Sequence, residues 1–284
     1  SHLVDELSKD RDNNITILDN FHRGSASNIR NHVKNKKIKI INNDIRDYNS
    51  FKKIGDIGCI YHLAAQSNVA GACFEPDYAL SSNVNGTYNI LKYASKNKIK
   101  RFIFASSREV YGNPKYLPVN EKHPLNPINI YGATKACSEM LCNTFSKLYG
   151  LKITILRIAN VYGPRDKDRV VPIFMENAKN SKDLELFGGK QVLDFIWIGD
   201  VIKSFIDISK NDRYIGETIN IGTGIGTSIE TLAKTIIKLT NSKSRIIYKK
   251  PRNFDVEKFI AKSDKIKLKT MKLADGLKKM ISLD

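Results

Sequence analysis

At 284 residues and 41% hydrophobic content, the chain can build one substantial core, or a large domain with a smaller appendage. No apolar run approaches the roughly 20 residues of a membrane span, no signal peptide is visible, and its four cysteines, Cys59, Cys73, Cys137 and Cys142, fall in no metal-ligand spacing, so a reduced, cytoplasmic, metal-free protein is expected. The net charge is +18, but the lysines are spread along the chain with no nucleic-acid-binding motif, which favours small anionic substrates over nucleic acid or membrane.

The chain opens on Ser1-His2-Leu3-Val4-Asp5-Glu6-Leu7, a helical pattern. Short apolar runs at 15–18, 38–41, 59–63, 102–105 and 153–156 read as buried strands. Helical stretches fall between them, notably 76–98 and 131–149. This alternation predicts an α/β fold with a doubly wound parallel sheet. A nucleotide-binding sheet of this kind normally begins with a strand and a glycine-rich turn. The opening segment looks like the helix after such a turn, so the first strand and its glycines are expected to be missing from this chain. Residues 1–284 alone would then bind a dinucleotide weakly, lacking the turn's backbone N–H groups. Residues 112–127 hold four of the eight prolines and read as an active-site loop. Beyond residue 165 short strands and helices mix, suggesting a smaller C-terminal α/β lobe. The expected division is 1–164, with 191–221 partly returning to it, and 165–284.

The most informative chemistry lies in Tyr131-Gly132-Ala133-Thr134-Lys135, whose tyrosine stands 24 residues after Ser107. On a helix, residues four apart share a face, so the ammonium of Lys135 can lie beside the phenol. A phenol titrates at about pH 10, and a neighbouring cation favours its anion, giving a base able to work near neutrality. Ser107, at the end of a strand, can hydrogen-bond the same substrate hydroxyl. Most tyrosine–lysine pairs of this spacing are solvated helix surface; here the order of strand, serine, proline-rich loop and helix gives the pair its weight.

That order resembles the extended short-chain dehydrogenase/reductase superfamily, in the NAD-dependent epimerase/dehydratase branch that acts on sugar nucleotides and includes UDP-glucose 4-epimerases. The resemblance implies a Rossmann-type dinucleotide-binding domain with a substrate lobe, and NAD as cofactor. Asp19, followed by Asn20, matches the acid that binds the adenosine ribose and repels the 2′-phosphate of NADP, although Arg23 nearby leaves NADP as a lesser alternative. Asp44 and Ile45 match the pair that contacts adenine. Leu63, Ala64, Ala65 and Gln66 match the small-residue segment beneath the dinucleotide, and Asn83 matches a helix position that holds the active site. Tyr131 and Lys135 also face the cofactor in this family, with Lys135 lowering the tyrosine pKa and binding the nicotinamide ribose.

On the substrate side, the run from Arg157 to Arg165 resembles the family's Asn–Tyr-Gly-Pro segment, in which Asn160 would contact the sugar nucleotide. Arg252 would bind its diphosphate, Asp255 would sit near the nucleoside or support that arginine, and Phe259 would limit pocket size. Leu193 stands before Asp194 where an arginine is usual, so Arg165 or Lys190 is expected to supply the absent contact. The segment between Lys267 and Leu273 is also shorter than the family pattern.

In the family mechanism Tyr131 takes a proton from a sugar hydroxyl, most often at C4, hydride passes to NAD, and Ser107 steadies the oxygen. A 4,6-dehydratase uses an Asp-Glu pair after the serine or threonine. Here the pair is Arg108-Glu109, and an arginine cannot donate the proton. The leading expectation is a UDP-glucose/UDP-galactose 4-epimerase. A UDP-hexuronate decarboxylase stays open because Glu109 fits that branch, and so does a structural role for Glu109 paired with Arg108. A catalytically silent, sugar-nucleotide-binding or scaffold protein is the reading from another class. The resemblance also implies a homodimer, through a four-helix bundle made by 76–98 and 131–149.

Overall fold

The computed structural model describes residues 1–283. A short helix, α1 (His2–Leu7), precedes a parallel pair, β1 (Ile15–Asp19) and β2 (Ile38–Asn42), with Ile15 opposite Ile38 and Asp19 opposite Asn42. A second parallel sheet has the order β3 (Cys59–His62), β4 (Arg101–Ser107), β5 (Ile153–Ile158), β9 (Thr218–Ile221). Among the described residues no ladder joins β1 to β3, yet the end of β1 and the segment just after β3 line one cavity. A parallel strand covered on both faces reads as a continuous apolar run, which is why 102–105 is legible as β4.

Alternate residues of these strands enter two cores, as the two-residue period of a strand requires. Phe102, Phe104, Ile153 and Ile155 pack with Leu91 and Ala94 of α4 (Gly86–Lys96) and with Cys142 and Phe145 of α5 (Ile130–Tyr149). Ile103, Leu156 and Ile219 face the other way, against Phe205 of α7 (Ile198–Ser209). This second core continues without a break into the C-terminal lobe, taking in Phe174 of α6 (Val170–Lys179), Leu184 and Leu186 of β7 (Leu184–Phe187) and Phe195 of β8 (Val192–Trp197). In that lobe β8 lies between β10 (Gly226–Ser228) and β12 (Lys258–Phe259) and also pairs with β6 (Asn160–Tyr162), while β7 pairs with β11 (Ile246–Lys249). Helices α8 (Ile229–Leu239) and α9 (Leu273–Leu283) complete it.

The helix expected over 76–98 is two helices separated by one wide turn. Helices α2 (Val69–Phe74) and α3 (Pro76–Leu80) lead into a π-turn at Ser81–Asn85, after which α4 begins. The turn frees the Asn83 carbonyl, which accepts from Thr87 Oγ1 at 2.5 Å and from Ser138 Oγ of α5 at 2.8 Å. Such single-turn bulges accumulate at functional sites. Helix α5 starts at Asn129, whose side chain caps Gly132 N at 2.8 Å, and ends at Gly150, in the left-handed conformation at φ 67°.

Candidate active site

Ser107, Tyr131 and Lys135 converge on one cavity of about 750 Å³ between the two lobes. Ser107 ends β4, and its hydroxyl accepts from Glu109 N at 3.2 Å, starting the tight turn Arg108–Tyr111. Helix α5 presses onto that turn at Gly132. Tyr131 and Lys135, one helical turn apart, thereby reach the cavity beside Ser107. The Lys135 ammonium donates to Ala105 O at 2.8 Å and lies 4.9 Å from the Phe104 ring and 6.0 Å from the Tyr131 ring.

Burial dominates both titrations. It raises the Tyr131 phenol above its ordinary value, against the opposing pull of Arg169, a hydrogen bond with Ser107 and the charge of Arg23, while Glu109 adds to the rise. It also lowers Lys135 to about 8, despite Cys142 and Glu139 acting in the other direction. The expected lowering of the phenol is therefore corrected: burial outweighs the cations around it. The ammonium is anchored on a backbone carbonyl, and the cations that oppose the burial of Tyr131 are Arg169 and Arg23.

A second cavity, of about 540 Å³, is lined by Asp19, Asn20, Asp44, Ile45, Leu63, Ala64 and Ala65. Asp19 Oδ1 accepts from Phe21 N at 2.8 Å. Burial would raise Asp44, but hydrogen bonds from Arg46 and Asn20 hold it below the usual carboxylate range. Gln66 and Asn83 stand behind this wall. Asn83 accepts from Gln66 N at 2.7 Å, donates to Gln66 O at 3.2 Å and donates to Thr134 Oγ1 of α5 at 2.9 Å. One buried amide thus locks the segment 63–66 to the helix carrying Tyr131.

Both cavities touch Leu63, Ala65, Ser67 and Asp168, so they form one trough with carboxylates at one end and Tyr131 and Lys135 at the other. Its two small alanines, Ala64 and Ala65, and the Asp19 carboxylate fit a dinucleotide. Arg23 lines the same cavity as Asp19 and Asp44. Its guanidinium bonds Asp168, Asp166 and Ser67, bridging to the C-terminal lobe. Arg165 is a correction as well: it lines the Asp19 cavity and pairs with Asp5 of α1 at 2.7 Å, away from the substrate side.

Glu109, Asn160, Arg252 and Asp255 line the larger cavity. Glu109 is buried; one oxygen pairs with Arg108 at 2.7 Å and the other accepts from Asn129 at 2.8 Å. Arg252 is held at 2.8 and 3.1 Å by both oxygens of Asp255 and lies 4.8 Å from the Phe187 ring and 5.2 Å from the Phe254 ring, so Asp255 supports the arginine. The Asn160 side-chain oxygen is buried without a hydrogen-bond partner among the described residues. Phe259 does not bound the cavity. It is buried behind the wall, stacked on Tyr111 at 5.9 Å and 5.8 Å from the Arg108 guanidinium. Lys190 does not reach the cavity either, and Leu193 lines it.

A buried network behind the site was not singled out in the sequence. Arg157 holds Glu139 of α5 with contacts of 2.7–3.2 Å, and Ser106 donates to the same carboxylate. Arg157 also donates to Tyr111 Oη at 2.9 Å and to Glu121 O at 3.1 Å; Tyr111 in turn donates to Asn220 at 2.7 Å. Asn220 returns to the proline-rich loop through Glu121 at 2.8 Å and Val119 O at 2.9 Å. The only sequence signal was unusual polarity at Arg157, Glu139 and Asn220 inside otherwise apolar or helical segments.

A profile described as the NAD dependent epimerase/dehydratase family matches residues 1–222. The chain is 36% identical to a putative UDP-glucose 4-epimerase of Methanocaldococcus jannaschii, over 99% of this chain and 93% of that one. It is 35% identical to a UDP-N-acetyl-alpha-D-glucosaminuronate decarboxylase of Bacillus cytotoxicus, over 87% of this chain and 79% of that one. Among solved structures, the UDP-glucose 4-epimerase of Thermotoga maritima with UDP-glucose superposes with a TM-score of 0.92 at 32% identity, covering 99% of this chain and 93% of that one.

Proposed function

Because the chain belongs to the NAD-dependent epimerase/dehydratase family, we propose that it is a nucleotide-sugar 4-epimerase, interconverting UDP-linked sugars of the glucose and galactose configurations through a 4-keto intermediate. The observation that carries this reading is the meeting of Ser107, Tyr131 and Lys135 in one cavity whose far end holds the Asp255-braced Arg252. The similarity to 4-epimerases supports it.

Asp19, Asp44 and the segment 63–65 would hold NAD, which would supply hydride-transfer chemistry at C4. The remaining work belongs to the chain's own residues. Tyr131, once ionised, takes the C4 hydroxyl proton and gives it back. Ser107 holds the reacting oxygen, and Lys135 keeps positive charge beside the trough. Asn83 fixes the floor at Gln66, and Arg252 holds the diphosphate. Burial of Ser107, Tyr131 and Lys135 strengthens their contacts. Arg108 cannot serve as an acid for 4,6-elimination.

Incubation with UDP-galactose and NAD should yield UDP-glucose with no net NADH. Inertness towards every UDP-hexose and UDP-hexuronate at saturating NAD would leave the silent-binding reading in its place. Decarboxylation is the second reading, favoured by Glu109 in the cavity and by the decarboxylase relative; it would give a pentose and carbon dioxide. We also propose a homodimer through α4 and α5, where Tyr88, Met140, Leu148 and Tyr149 stand exposed.

A further inference from the structure

Arg108 is a cation at the reacting end of the substrate cavity with no assigned task. Its side chain is 8% exposed. Nη2 meets Glu109 Oε1 at 2.7 Å, while Nη1 is buried with no hydrogen-bond partner among the described residues. The second oxygen of Glu109 accepts from Asn129 and makes no bond to Nη1. Phe259 lies 5.8 Å from the guanidinium and is itself fixed by stacking on Tyr111. The guanidinium is therefore held in place, with the two N–H donors of Nη1 lacking an acceptor among the described residues, an arrangement whose cost a ligand can remove.

We propose that Arg108 is a specificity-determining residue that selects, among UDP sugars of the glucose and galactose configurations, those carrying a carboxylate on the exocyclic carbon. The inference rests on the 4-epimerase reading only for the orientation of the sugar. With the C4 hydroxyl between Ser107 and Tyr131, the residue next to Ser107 meets the substituents of the adjacent ring carbons. These are the C3 hydroxyl and the exocyclic C6 group on C5, of which only the oxidised C6 group is anionic. A carboxylate matches the planar fork of an arginine, and a neutral hydroxymethyl group does not. Asn160 lines the same cavity, with its side-chain oxygen buried and unpartnered among the described residues. The plainer account, in which Arg108 only neutralises Glu109, gives no preference between acidic and neutral sugars.

The test compares UDP-glucuronic acid with UDP-glucose in the NAD-loaded protein, by calorimetric affinity and by kcat/KM. The wild type should favour the acid by about 10-fold or more, and Arg108→Gln should lower that ratio by at least about 10-fold, with Arg108→Lys in between. Gln still donates to Glu109, and thermal melts report whether each variant folds. If Arg108→Gln does not fold, the wild-type ratio and Arg108→Lys decide. Equal binding of the two sugars by the wild type, or a preference unchanged in the variants, overturns the inference. A 4-keto hexuronate is a β-keto acid, so the product also separates the two readings. Arg108-dependent turnover to a pentose and carbon dioxide keeps this inference and removes the epimerase. Epimerisation without acid preference does the reverse.

Discussion

Gly132 lies so close to Glu109 that a Cβ built on it would stand 2.4 Å from the Glu109 carbonyl oxygen. The contact sets how near the start of α5 comes to the turn after β4, and so the spacing of Tyr131 and Ser107. Gly132→Ala should cost about 1–3 kcal/mol in a denaturant melt and lower kcat by more than that loss of stability explains. A variant with unchanged kcat would show that the approach of helix and turn does not position the base.

Tyr131→Phe removes the proton acceptor without changing the shape of the cavity. Turnover of UDP-galactose should fall by about 10²–10⁴-fold, while calorimetry still detects the sugar nucleotide. Retained turnover would sink the assignment of Tyr131 as the base.

The phenol's pKa is raised by burial, so its reactive form is the minority at neutral pH. The sign is that activity climbs with pH as Tyr131 ionises. Lys135, lowered to about 8, loses its charge as pH rises through that value, which should flatten or reverse the climb. A pH–rate profile from 6 to 10 checks this, and a profile falling throughout would contradict it.

His62 is buried against Phe102 and Phe104, bonded to Thr87 at 2.8 Å, and lowered to about 3 by burial and by the nearby Lys135 charge. The unfolded chain takes a proton at about 6.5 that the folded one refuses. Its contribution to stability is thus complete above that pH and lost as pH falls towards 3, at up to about 1.4 kcal/mol per pH unit. His62→Gln should flatten the dependence measured by denaturant melts between pH 4 and 6.5.

Glu139→Gln would strip the buried Arg157 of its anion and should destabilise the fold by about 3–5 kcal/mol. Because Arg157 also carries Tyr111 and Glu121 O, cleavage by a protease in the loop 112–127 should quicken in the variant.

The strands were readable because β4 and β5 are buried on both faces and so are written as unbroken apolar runs. Ser107, Tyr131 and Lys135 were readable because their spacing is local to one strand end and one helix. Contacts made across the fold were not. Arg165 was placed on the substrate side by its motif, but at φ 68° the chain turns it onto Asp5 of α1. Phe259 was placed on the cavity wall, yet Arg108 stands in front of it. The π-turn at Asn83 escaped because the side chains that accommodate it, Thr87 and Ser138, lie on two different helices.

One apolar body runs from Ile103 and Leu156 through Phe174 to Phe195 and fills both lobes. A clamshell motion would open that body to water, a cost that ties the two lobes together. Under the proposed 4-epimerase reading, the oxidised sugar would turn over beside a rim already stitched by Arg23, which grips Asp166 and Asp168.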